Sequence, residues 1–317
     1  MSHLTQHVLQ HRYAALSEVK LHYVSQGEGP VILFVHGFPE FWYAWKAQID
    51  ALSASYRCVA VDMRGYNLSD KPIPVSAYGP KQIVGDLHEL VAHLGGPVYL
   101  VAHDWGGAMA WEFATRFPEQ IRKLVIINAP HACTMHRELR ENPAQREASD
   151  YFALFRSDKA ERVLSEDNFA RLQQMFETWD VGGHRVTREI RHRYLDAWSR
   201  PGGLTGGLDW YRASRLVPPS CGTPNVEDFE LDPRNHQVTV PTMVIWGERD
   251  TALLPSLLDG LDAYVRDLRI ERIPEGSHWV HHEYPERINA LIGGFFDGSM
   301  AVTNPTHAAS RATTQVA

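Results

Sequence analysis

The residues from Val98 to Ala110 constrain the fold of this chain more than any other stretch. An aliphatic run ends at Ala102, Asp104 follows, and a run suited to a helix begins just past Gly107. Small residues lie two before, two after and three after Asp104, as a strained turn from strand to helix requires. The pattern predicts a nucleophile elbow that presents Asp104 above a buried strand. A carboxylate can attack carbon and form an ester, although an ordinary helix N-cap would also place aspartate here.

Short aliphatic runs alternate with helical patterns along most of the chain. The predicted strands cover residues 13–26 (two short strands), 31–35, 58–61, 98–102, 124–128, 243–246 and 268–273. The predicted helices cover residues 42–52, 81–94, 108–116 and 286–295. Continuous apolar strands are typical of a sheet covered on both faces. The sequence therefore predicts an α/β protein with a doubly wound, mostly parallel sheet.

Residues 131–230 interrupt this alternation, because they are polar, helical in pattern and without a strand signal. They predict a helical cap inserted into a core made of residues 1–130 and 231–298. The glycine cluster at 202–207 follows no strand, which argues against a nucleotide-binding loop. Residues 299–317 are small and polar, and we predict a disordered tail there.

Composition narrows the class of protein. The net charge is −7 and no Lys/Arg block is present, which argues against nucleic acid or an anionic membrane as a partner. There is no apolar run of about 20 residues and no signal-peptide pattern at the start. The three cysteines, Cys58, Cys133 and Cys221, are too widely spaced for a disulfide framework. These features predict a soluble, reduced, cytoplasmic protein.

Three side chains follow strands in an order that suits nucleophilic catalysis. Asp104 comes first, Asp250 follows the strand at 243–246, and His278 follows the strand at 268–273. In parallel sheets, ligands bind at the carboxyl ends of strands. Asp250 would accept a hydrogen bond from one ring nitrogen of His278 and leave the other free to activate water. A turn aspartate or a surface histidine would explain each alone, but the order nucleophile, acid, histidine favours catalysis.

The turn His36-Gly37-Phe38-Pro39 follows the first long buried strand. Such a turn can aim the backbone N–H of Phe38 at a developing oxyanion, and the N–H of Trp105 would be the second donor. A cis bond before Pro39 would suit so tight a turn. An ordinary Gly-Pro loop is the alternative.

The histidines near the end of the chain also raise the question of a metal. His278, His281 and His282 could each offer a ring nitrogen. The chain has no HExxH motif and no Cys/His spacing typical of zinc. We therefore expect neither a metal nor an organic cofactor.

Together these motifs resemble the α/β-hydrolase superfamily, and within it the epoxide hydrolases, over about residues 15–296. The family's His-Gly-x-Pro turn matches residues 36–39, its aspartate elbow matches 102–107, and its Arg-Gly-Tyr-x-x-Ser loop matches 64–69. Asn67 stands where the family usually has glycine, and asparagine also tolerates a positive φ. The resemblance implies the α/β-hydrolase fold with an inserted helical cap.

The resemblance also implies two cap tyrosines that face the nucleophile. Tyr151 lies in a Tyr-x-x-x-Phe stretch and Tyr211 in an Asp-Trp-Tyr-Arg stretch. Ring opening leaves an alkoxide, and a neutral phenol can donate a hydrogen bond to it at pH 7. Packing among aromatic residues is the alternative. Four aromatic side chains are predicted to line the apolar pocket: Phe38, Trp105, Phe152 and Trp210.

The residues and the resemblance predict hydrolysis of a small apolar epoxide by water, giving a vicinal diol through an ester on Asp104. Haloalkane dehalogenases share the His-Asp-Trp-Gly elbow, so dehalogenation is the first alternative. Halide expulsion needs N–H donors rather than acids, and Phe38 stands where many dehalogenases carry asparagine. A catalytically silent binding protein on the same fold is a remote alternative.

Overall fold

The described strands form a single eight-stranded sheet in the order β1-β2-β4-β3-β5-β6-β7-β8. The computed structural model describes residues 8–176 and 186–299. The strands are Gln10–Ala15 (β1), Lys20–Gln26 (β2), Val31–Val35 (β3), Arg57–Val61 (β4), Val98–His103 (β5), Ile121–Ile127 (β6), Thr242–Gly247 (β7) and Leu268–Ile273 (β8). Strand β2 pairs antiparallel with β1 and β4, and the other pairs are parallel. The prediction of a mostly parallel α/β sheet is confirmed.

The helices follow the alternation that the sequence predicts. They are Lys46–Leu52 (α1), Pro80–Leu94 (α2), Asp104–Arg116 (α3), Ala132–Glu141 (α4), Pro143–Ala148 (α5), Tyr151–Arg156 (α6), Ala160–Gln174 (α7), Arg188–Trp198 (α8), Gly203–Ala213 (α9), Val280–Glu283 (α10) and Pro285–Asp297 (α11). Residues 166–169 interrupt α7 with non-helical backbone angles. Each predicted helix is present, with ends that differ by a few residues.

The start of α3 differs from the prediction. The sequence predicts the helix from Ala108, whereas α3 begins at Asp104. Gly106 and Gly107 are weak helix formers, so the helix propensity of the sequence does not predict the first turn of α3. Packing compensates for the weak propensity, because both glycines are buried where the helix runs close behind the ends of the central strands.

The parallel strands bring their following residues to one edge of the sheet. Val35 of β3 pairs with Ala102 of β5, and Gly247 of β7 pairs with Ile273 of β8. The segments after these strands carry the predicted site residues. Because parallel strands all end on the same side, these side chains meet there.

Helices α4 to α9 lie between β6 and β7 and pack on core loops beside this edge. The Trp210 indole N–H of α9 donates to the Arg64 carbonyl at 3.1 Å, and the Trp198 indole N–H of α8 donates to the Pro39 carbonyl at 2.6 Å. The Arg64 guanidinium is itself buried and held by Asp86 at 2.6 Å. A Cβ atom on Gly206 would overlap the backbone of Gly65. The inserted helices are thereby anchored next to the elbow.

Three further sequence expectations concern membrane spans, the cysteines and the tail. Every helix in residues 8–176 and 186–299 is too short or too polar to cross a membrane. Cys58, Cys133 and Cys221 are free thiols. Residues 300–317, which carry most of the predicted disordered tail, lie outside the described residues.

Candidate active site

Asp104 stands at the junction of β5 and α3 with a φ of 51°, in the left-handed region that few non-glycine residues adopt. Glycines surround it closely. A Cβ atom on Gly37 would overlap the Asp104 carboxylate, and one on Gly106 would overlap the carbonyl of His36. Such strain at a single polar residue is typical of functional turns. The local geometry is that of the elbow predicted from the sequence.

His278 lies between the two predicted carboxylates. Its Nδ1 is 2.6 Å from Asp250 Oδ2, and its Nε2 is 3.6 Å from Asp104 Oδ2. Burial alone would lower the pKa of His278, but the negative charges of Asp250 and Asp104 raise it to about 9. The structure thus brings all three residues into one line, with the histidine in the middle.

The Asp250 carboxylate is fully buried and saturated with hydrogen bonds. Its Oδ1 accepts the backbone N–H groups of Ala252 and Leu253 at 2.8 and 2.9 Å, and its Oδ2 accepts the Asn128 amide at 2.9 Å. Burial would raise the pKa of Asp250, but the charge of His278 and these donors lower it. Asp250 therefore stays ionised and fixes the orientation of the His278 ring.

The predicted oxyanion donors lie beside Asp104. The Phe38 N–H donates to Asp104 Oδ1 at 2.8 Å, and the peptide bond from Phe38 to Pro39 is cis. The Trp105 N–H lies in the first turn of α3, where N–H groups have no acceptor within the helix. One oxygen of Asp104 is therefore already held by a backbone donor.

Tyr151 on α6 and Tyr211 on α9 come together at the elbow. Their rings are 6.1 Å apart, and the Tyr211 ring packs edge-on against Trp105 at 5.0 Å. Burial raises the pKa of both phenols well above the usual value, and the nearby Asp104 charge raises each further. Both side chains are therefore neutral donors at pH 7.

A cavity of about 260 Å³ opens over Asp104. Its lining includes Tyr151 and three of the four predicted aromatic residues: Trp105, Phe152 and Trp210. The fourth, Phe38, packs against Phe155 and Tyr211 with ring centres 5.2 and 5.3 Å away. The cavity follows α3 from Asp104 to Arg116, a rise of about 18 Å along the helix. A mostly apolar lining with a few polar groups is typical of a small-molecule pocket.

Comparisons with known proteins agree with this geometry. Residues 30–285 match the family model described as alpha/beta hydrolase fold. Epoxide hydrolase 4 of Mus musculus is 34% identical over 288 residues, which are 88% of this chain and 77% of that protein. The crystal structure of the Bacillus megaterium epoxide hydrolase with an inhibitor superposes with a TM-score of 0.82 at 34% identity, covering 90% of this chain and 100% of that one.

The chain belongs to the epoxide hydrolases of the α/β-hydrolase fold family. A third relative, epoxide hydrolase 1 of Caenorhabditis elegans, is 32% identical over 90% of this chain and 70% of that protein. The family assignment made from the sequence motifs is confirmed.

Sequence reasoning missed one residue at the site of this epoxide hydrolase. Asn128 follows β6 with a φ of 38° and bridges two segments: its amide oxygen accepts the Gly247 N–H at 2.8 Å, and its amide nitrogen donates to Asp250. Asn128 thus fixes the turn that carries Asp250. The sequence signal that could have revealed Asn128 is its position. It is a polar residue directly after a buried aliphatic strand, at the same edge of the sheet as the other site residues.

Proposed function

We propose that this enzyme hydrolyses an epoxide to a vicinal diol through a covalent ester on Asp104. The main support is the arrangement of Asp104, His278 and Asp250 in one line. Tyr151 and Tyr211, two neutral tyrosines, lie beside that line. Asp104 Oδ2 attacks an epoxide carbon and the C–O bond of the ring breaks. Tyr151 and Tyr211 donate hydrogen bonds to the ring oxygen, and one phenol proton passes to the alkoxide.

The second half-reaction uses the other atoms of the line. His278 Nε2 takes a proton from water, whose oxygen adds to the ester carbonyl carbon. The carbonyl oxygen is then Oδ1, which the Phe38 N–H already binds at 2.8 Å, and Trp105 supplies the second N–H. The intermediate collapses and the diol leaves with the proton from His278. The second proton of the water passes from the Asp104 carboxyl group to the tyrosinate, so that both the carboxylate and the phenol are regenerated.

Two features favour the epoxide over a haloalkane as substrate. Both reactions need the line of Asp104, His278 and Asp250. A departing halide does not need a proton, whereas an alkoxide does, and Tyr151 and Tyr211 are proton donors kept neutral by burial. The relatives named epoxide hydrolases support the same choice. We propose residues 131–230 as the cap that supplies these phenols.

The source of the diol oxygen tests the covalent step. In a single turnover in ¹⁸O water, with enzyme in excess over styrene oxide, we expect largely unlabelled diol, because its new oxygen comes from Asp104. Many turnovers in the same water should give labelled diol, which serves as the control. Full label in the first turnover would show that water attacks the epoxide directly and would contradict the proposal.

The rate of ester hydrolysis should depend on the protonation of His278. The pKa of His278 is raised to about 9 partly by the charge of Asp104, and esterification removes that charge. The pKa of His278 in the ester should therefore lie below 9. Since only the neutral ring can take a proton from water, the hydrolysis rate should rise with pH and level off above that pKa. Rapid-quench measurement of ester decay across the pH range checks this, and a rate that falls as pH rises would refute it.

A further inference from the structure

A second buried carboxylate, Glu40, lies directly behind the site and takes no part in the mechanism above. Its Oε2 is 3.3 Å from His103 Nδ1 and 3.5 Å from His281 Nε2. Its Oε1 is 2.7 Å from His282 Nε2 and accepts the Tyr194 hydroxyl at 2.9 Å. Three imidazoles therefore surround one carboxylate with no exposed surface.

Several polar atoms of this cluster have no hydrogen bond within the part of the chain that the structure describes. They are Glu40 Oε2, His103 Nδ1 and both ring nitrogens of His281. Buried polar groups in proteins are almost always satisfied. The side chain of His281 is completely buried, and its Nε2 points to the same carboxylate oxygen as His103 Nδ1. Imidazole and carboxylate atoms that converge in this way form the kind of ligand set that binds divalent metal ions.

The hydrogen bonding of His103 adds to this geometry. His103 Nε2 lies 2.9 Å from the His278 carbonyl, so in the neutral ring Nε2 carries the proton and Nδ1 presents a lone pair to Glu40. His103 Nδ1 and Glu40 Oε2 are then two acceptors 3.3 Å apart, an arrangement that a cation beside them would stabilise.

We propose that Glu40, His281 and His282 bind one zinc ion. Their ligand atoms all lie within 4.8 Å of one another. Zinc prefers neutral imidazole and carboxylate ligands, and tetrahedral bonds of about 2.1 Å place two ligands about 3.4 Å apart. The 3.5 Å between Glu40 Oε2 and His281 Nε2 fits that spacing. Zinc would replace the hydrogen bond between Glu40 and His282 and release its proton.

The proposed zinc site differs from the sequence expectation of no metal, because its ligands are far apart along the chain. Glu40 and His282 are 242 residues apart, so no local sequence motif joins them. His282 is 15% exposed and offers the ion an entrance. The ion would tie the turn that carries Phe38 to the segment that follows His278. The site is independent of the proposed reaction, because none of the three ligands takes part in it.

Zinc binding by the full-length protein tests the site. Protein stripped with a chelator is dialysed against Zn²⁺ and a competing chelator, and bound zinc is counted by elemental mass spectrometry. We expect about one tightly bound ion and a higher melting temperature with zinc than without. His281→Gln and His282→Gln should each weaken zinc binding by at least about 100-fold. Mutation of a residue that only hydrogen-bonds to a metal ligand already lowers metal affinity by about 10 to 100-fold, and loss of the ligand itself should cost more.

His192→Gln is the matched control, since His192 is an exposed histidine on α8 and should leave zinc binding unchanged. The melting temperature of each metal-free variant shows whether it folds, and the partly exposed His282 provides a second variant should His281→Gln fail to fold. Absence of a tight zinc ion in the wild-type protein would overturn the proposal. So would equal affinity in the wild type, His281→Gln and His282→Gln.

Discussion

Replacing His278 with glutamine should stop the reaction half-way, with an ester accumulated on Asp104. In the proposed reaction, attack by Asp104 needs no base, whereas ester hydrolysis needs the His278 imidazole, which lies 3.6 Å from Asp104. Glutamine cannot take a proton from water, so turnover should fall on the order of 10⁴-fold. Intact-protein mass spectrometry of His278→Gln, incubated with styrene oxide, should show a covalent adduct that maps to the Asp104 peptide.

The mass of that adduct separates the candidate functions. Epoxide opening adds the whole substrate, because the oxygen stays attached, whereas dehalogenation of a bromoalkane adds the substrate less hydrogen bromide. A silent binding protein gives no adduct with either. The double variant Asp104→Asn, His278→Gln is the control, since it lacks the nucleophile and should remain unmodified. An adduct from the bromoalkane alone would favour the dehalogenase and contradict the proposed function.

Replacing Tyr151 or Tyr211 with phenylalanine should slow formation of the ester by about 10² to 10³-fold each. Burial and the Asp104 charge keep both phenols neutral. Each variant therefore lacks one hydrogen-bond donor, which stabilises the ring oxygen only as that oxygen becomes an alkoxide. Hydrolysis of an ester already formed should keep its rate, because that step uses His278. Rapid-quench measurement of ester formation and decay resolves the two steps.

Tyr78→Phe provides the matched control for these variants. Tyr78 also lines the cavity, but its hydroxyl donates to the Pro72 carbonyl at 2.8 Å. Loss of this hydrogen bond in Tyr78→Phe should lower the free energy of unfolding by about 1 kcal/mol and leave the rate of ester formation unchanged. Unchanged ester formation in both Tyr151→Phe and Tyr211→Phe would contradict the role given to the phenols.

The sequence by itself determined which segments become strands and which residues follow them. Aliphatic runs such as residues 31–35 and 98–102 are buried on both faces of a sheet. A strand buried on both faces needs consecutive apolar residues, and these can be recognised in the sequence. The elbow is local too, because Asp104 and the glycines near it must satisfy one strained turn. Asp250 and His278 could be placed for the same reason, as each directly follows a predicted strand.

Only the tertiary structure decided which strands are neighbours and what surrounds each polar group. The start of α3 was hidden from propensity because packing against the central strands, not helix preference, forms its first turn. Asn128 reaches Asp250 across 122 residues, and Glu40 meets His282 across 242. The neutrality of Tyr151 and Tyr211 likewise comes from burial. Such contacts depend on distance in space, and the distance along the chain does not encode them.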